Sequence, residues 1–135
     1  MCPVGVAGAR GQSTARTVTE RADLRRRWLH QLAALADRPN VSVKLSGFAM
    51  PILGYNETAT REQLWQVWGP ALSEIITMFG ADRVMFGSNS PIDAAVATYH
   101  DLVAVVADAV VAAAGEQALP GVFAGNARAF YRLPA

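Results

Sequence analysis

The sequence predicts an α/β fold built around two parallel strands, and three observations carry that prediction. Two short apolar runs, Val41 to Ser46 and Arg83 to Ser88, alternate with long stretches of helical periodicity. Each run stops abruptly, the first at Gly47 and the second in the small polar residues Ser88, Asn89 and Ser90 before Pro91. The connection between them is long enough to be a crossover, which makes the two strands parallel.

Taken in order, Met1 to Val18 holds three glycines among small, polar and basic residues and reads as irregular. A helix is predicted from about Thr19, where Thr17 and Glu20 have capping-box spacing, with Leu24, Trp28, Leu32 and Leu35 as its apolar stripe. It ends before Pro39. In the first strand Val41, Val43 and Leu45 alternate with Ser42, Lys44 and Ser46. Phe48 to Thr60 is a long connection, and long connections in compact domains are usually functional or disordered. Arg61 to Phe79 is helical, with Gly69-Pro70 expected to kink or split it and Gly80 to stop it. After the second strand a helix is expected from about Ala94 to Ala114, with Val96, Tyr99, Val103, Val106 and Val110 at helical spacing and Gly115 as its end. A short terminal helix, Leu119 to Leu133, closes the order, and there Phe123, Ala127, Phe130 and Tyr131 can pack.

Composition narrows the function classes. One domain fits in 135 residues, and a formal charge of +1 gives no field for holding nucleic acid or an anionic membrane. Lys44 is the only lysine, and the early arginines, Arg25 to Arg27 among them, read as a solvated helix face. The single Cys2 forms no internal disulfide, and no Cys/His spacing suggests zinc. The most apolar long segment is interrupted by His100, Asp101 and Asp108, which suits no membrane span. A soluble cytoplasmic chain is expected.

Two parallel strands cannot cover their own faces and edges, so the sequence reads as the end of a larger α/β protein with a truncated start. A closed barrel would turn Val41, Val43, Leu45, Val84 and Phe86 outward to helices. Ser42, Lys44, Ser46, Met85, Gly87 and Asn89 would then face inward, with the polar ones gathering toward the strands' carboxyl ends.

With those elements placed, the chain resembles the amidohydrolase-related family, the lactonase and decarboxylase branch of the metal-dependent hydrolases. RPNVSVKLSGFAMPILGY is similar to that family's seventh strand and its adjoining loop, FGADRVMFGSNSPID to its eighth strand, and GNARAFYRL to its closing helix. CPVGVAGARGQ looks like the stretch just after its sixth-unit histidine motif. The resemblance implies the C-terminal portion of a (β/α)8 TIM-type barrel, a partial domain over residues 1–135 whose last strand and helix units begin at residue 19. It further implies a hydrolase acting on a lactone, ester or amide carbonyl of a small-molecule substrate, or decarboxylating a related acid. No cofactor is expected to be held by this chain alone, a divalent metal being possible only in a completed barrel. Where the family generally has Ser-Asp-x-Pro, this chain has Asn89, a neutral amide that neither takes a proton nor supplies charge to a metal.

The candidate catalytic residues are Asn89 and Asp93. Asn89 would orient water or substrate, or cap the turn; Asp93 would be a substituted base, or the N-cap of a helix starting at Ala94. Lys44 and Ser46 face the barrel interior, Lys44 toward an anionic substrate or a structural ion pair. Met50 and Tyr55 line a pocket or pack their own loop. His30 and His100 lie within helices, far from either strand end. The alternative to an enzyme is a catalytically silent fragment or assembly partner, completed by a second copy or a complementary barrel fragment. An independently folding binding module would need a third strand within Met1 to Val18.

Overall fold

The computed structural model describes residues 18–51 and 58–134, with side chains from residue 23 onward. Its helices and strands run in the order α1 (Val18–Ala36), β1 (Val43–Leu45), α2 (Arg61–Phe79), β2 (Val84–Phe86), α3 (Tyr99–Ala114) and α4 (Asn126–Tyr131). The irregular opening, the Thr17 cap and the idea of a third early strand lie outside the described residues.

The strands pair in parallel, with Val43 opposite Val84, Lys44 opposite Met85 and Leu45 opposite Phe86. Gly87 N–H donates to Leu45 O at 3.0 Å and carries the ladder one step further. Leu45 and Val84 are buried in the core while Lys44 and Ser46 are exposed, but Met85, which pairs with Lys44, is buried as well. Both strands are shorter than their apolar runs. Arg83 belongs instead to a 3₁₀ turn, Ala81–Arg83, and the Val41 carbonyl accepts from its guanidinium.

The core forms where α2 and α3 pack together over the strands. Leu64, Leu72, Ile75, Ile76 and Phe79 of α2 meet Leu102, Val105, Val106, Ala109 and Val110 of α3. Thr60 and Gln63 make a capping box at the start of α2, and Gly80 ends it with φ 78°. The Gly69-Pro70 pair does not split α2, which is one continuous helix. The glycine instead makes room for a ring: a Cβ there would stand 2.5 Å from the Trp65 indole.

Three helical expectations are corrected. Only Leu32 of the stripe proposed for α1 packs against the core, together with its neighbours Leu29 and Ala36, while Leu24, Trp28 and Leu35 are exposed. The helix after β2 begins at Tyr99 rather than Ala94, because the Thr98 hydroxyl accepts Asp101 N–H at 3.1 Å and caps it there. Tyr99 is exposed with its ring edge-on to Phe86, so the buried stripe runs from Leu102. In the terminal segment Phe123 packs on Phe86, but Phe130 and Tyr131 stay exposed and stack edge-on against each other.

Arg83 ties the amino ends of the strands together. Its guanidinium donates to Phe79 O at 2.8 Å, Ala36 O at 2.9 Å, Arg38 O at 2.8 Å and Val41 O at 3.2 Å. The ends of α1 and α2 and the entry to β1 are thereby closed by one side chain. Asn126 does similar work for α4, its Nδ2 donating to Ala81 O and Val84 O, both at 2.7 Å. Elsewhere Arg61 pairs bidentately with Asp108, whose hydrogen bond and charge push the Arg61 pKa further up and join α2 to α3.

Arg83→Lys keeps the charge but loses the fork that reaches several carbonyls. It is expected to lower the unfolding free energy by about 2 kcal/mol, as hydrogen bonds from a charged donor are lost. Urea denaturation checks this, and an unchanged midpoint would overturn the role given to Arg83.

Candidate functional site

Because the pair is parallel, β1 and β2 deliver their carboxyl ends to one edge, and the segments that leave them meet there. After β2 the chain turns sharply at Asn89, which is left-handed with φ 52°. Asparagine is among the few residues with side chains that visit this region routinely. Its carbonyl accepts Ile92 N–H at 2.9 Å and Asp93 N–H at 3.2 Å, and the Ser90-Pro91 bond within the turn is cis. The turn folds Asp93 back against Asn89.

Asp93 is fully buried. One carboxylate oxygen accepts Asn89 Nδ2 at 2.7 Å, and the other accepts Ala49 N–H at 3.3 Å from the segment just after β1. A single side chain thus joins the exits of both strands. It caps no long helix: it sits inside a 3₁₀ turn, Asp93–Ala95, while α3 has its own cap at Thr98. The N-cap reading is corrected accordingly.

Gly47 lies beneath this junction with φ 75°, and a Cβ on it would stand 3.6 Å from Asn89 Nδ2 and 3.7 Å from Met50 Cε. Asn89, Asp93 and the half-buried Met50 are therefore neighbours. On the same side of the strand pair, a Cβ on Gly87 would meet Ser46 Oγ at 3.0 Å and Lys44 Cε at 3.3 Å. That contact explains why glycine stands there. Lys44 Nζ lies 5.8 Å from the Tyr131 ring centroid, a cation–π distance, and among the described residues it makes no ion pair. Tyr55 lies outside the described residues. Ser88 serves its turn, its hydroxyl accepting Ser90 N–H at 3.4 Å.

His30 and His100 are exposed on α1 and α3. His30 lines a concavity with Asp23, Arg26, Arg27 and Gln31, all on α1, where Arg26 pairs with Asp23 at 2.6 Å. No three His, Cys, Asp or Glu side chains converge among the described residues. A neutral amide and a buried carboxylate already accepting two hydrogen bonds do not by themselves fit a divalent ion. Among the described residues, no helix is long and apolar enough to cross a membrane.

The sequence did not point to Ala49, whose contribution is a backbone N–H that no side-chain pattern signals. Gly47 left a trace, since glycine directly after a strand marks a left-handed turn or a close approach.

A family model described as Amidohydrolase matches residues 18–133. Among curated proteins, a Sinorhizobium fredii (strain NBRC 101917 / NGR234) protein bearing the name "Uncharacterized protein y4mH" is 30% identical over 106 residues, 78% of this chain and 33% of that relative. The chain therefore spans about one third of the length of the curated relative it matches. No solved structure matches it.

Replacing Asn89 separates its two structural roles. Asn89→Gly and Asn89→Ala both remove a donor from buried Asp93, at about 1–3 kcal/mol. Only alanine adds left-handed strain, so Asn89→Ala is expected to be the less stable by about 1 kcal/mol. Equal denaturant midpoints for the two variants would contradict the backbone assignment.

Proposed function

The chain belongs to the amidohydrolase family, and from that premise we propose that it supplies the last two strands of a (β/α)8 barrel and part of the mouth where that barrel hydrolyses a small carbonyl compound. The observation that carries the reading is the meeting of Asn89, Asp93 and Ala49 N–H at the carboxyl ends of parallel strands. Barrel enzymes place their chemistry at that edge.

The proposed reaction is addition of water to a lactone, ester or amide carbonyl, with decarboxylation of a related acid as the variant on the same scaffold. Asn89 orients the water or the substrate, with Asp93 beside it. Lys44 and Ser46 face the substrate's polar or anionic part from the same side, and Met50 supplies apolar wall. Any divalent metal in the completed barrel would be held by side chains beyond these residues.

A second reading is an assembly partner without activity of its own. It is favoured by the open outer edges of β1 and β2 among the described residues, and by exposed Leu24, Trp28 and Leu35 on α1. A second copy or a complementary fragment would cover them.

The test is to purify the chain, measure its size in solution, and assay a δ-lactone and an aryl ester with and without zinc or manganese. Turnover that falls by roughly 10- to 100-fold in Asn89→Ala, as expected when a positioning group is lost, supports the enzyme reading. An inactive chain that associates with itself or with a co-expressed partner supports the second.

A further inference from the structure

Asn89 can present either end of its amide to the strand-end edge, and the two ends recognise opposite chemistry. Its NH₂ would donate to an oxyanion, whereas its carbonyl oxygen would accept from water or a hydroxyl. The choice is made by the group behind it. Both Asp93 oxygens act as acceptors, and one stands 2.7 Å from the amide, so the amide turns its nitrogen inward. Asn89 Oδ1 accepts no hydrogen bond among the described residues. No buried side-chain oxygen or nitrogen there is left without a partner, so this oxygen is open to solvent.

We infer that Asp93 is a positioning residue that sets the polarity of Asn89, so that the site engages a hydrogen-bond donor, a water molecule or a substrate hydroxyl, and not an oxyanion. The inference rests on the reading above only in taking the strand ends as the site. Asp93 acts through Asn89 because it is fully buried and both its oxygens are occupied.

The donor and acceptor count makes the idea testable without disturbing shape. In Asp93→Asn the new amide must keep its oxygen toward Ala49 N–H and so turns its NH₂ to residue 89. Asn89 answers by flipping, presenting NH₂ to the edge. The network survives with its polarity reversed. In the exchange variant N89D/D93N the residue-93 amide donates to a carboxylate at 89, whose second oxygen again faces outward as an acceptor.

Side-chain amide NMR of the chain labelled with ¹⁵N-asparagine reads the flip directly. The sequence has only Asn40, Asn56, Asn89 and Asn126 to resolve. In the native chain one Asn89 amide proton is expected to be downfield and protected from exchange, and in Asp93→Asn that protection passes to the amide of residue 93. Freely exchanging Asn89 protons in the native chain, or a signal unmoved by Asp93→Asn, would overturn the inference. With δ-lactone as probe, Asp93→Asn should fold with native circular dichroism yet lose roughly 10- to 100-fold in kcat, and N89D/D93N should recover most of it. Equal kcat in the native chain and Asp93→Asn also overturns the inference. If the native chain turns over no lactone or ester, the proposed function fails while the NMR outcome still decides the polarity.

Discussion

Parallel pairing is the constraint on which the other features depend. It forces the chain to cross back between β1 and β2, and the crossover is the long helix α2. It also sends both strands out at the same edge, so the segments after Leu45 and after Phe86 have to be accommodated side by side. Short strands give little ladder to hold this arrangement, with three residue pairs in register. The ends must be secured by other means.

Two charged side chains secure them, one at each end. At the amino end the Arg83 guanidinium gathers carbonyls from the ends of α1 and α2 and from the entry to β1. At the carboxyl end Asp93 gathers a backbone N–H from one exit segment and a side-chain amide from the other. The division is chemical. A guanidinium has only donors and suits the carbonyl-rich ends of helices, while a carboxylate has only acceptors and suits N–H groups exposed where a ladder stops. Each side chain also turns backbone groups that would be costly to leave unpaired into fixed structure.

This arrangement shows what could be read from residue order and what could not. The apolar runs, the Arg61 to Phe79 helix and the glycine stops at Gly80 and Gly115 were legible, because each is written in local periodicity or a single conformational preference. So was the address of Asn89 at the end of β2, and the sharing of one strand face by Lys44, Ser46 and Gly87. The stripe chosen for α1 failed because two adjacent apolar stripes run along it, and only packing against α2 decides between them. The N-cap reading of Asp93 fails for a related reason: an acidic residue before a helical pattern reads as a cap, and one of its two partners, Ala49, lies 44 residues back. Tertiary contacts through the backbone leave no mark in residue type.

The amide at 89 and the carboxylate at 93 are best understood as one choice. Two carboxylates at this separation would meet as acceptor against acceptor, with no donor between them. An amide at 89 supplies the donor, and its hydrogen bond to Asp93 organises the turn. The consequence for chemistry is restrictive. An amide oxygen can align a water molecule but is too weak a base to take its proton at neutral pH, and Asp93 has no exposed oxygen with which to take it. Hydrolysis at this edge would therefore need its proton acceptor from side chains other than this pair.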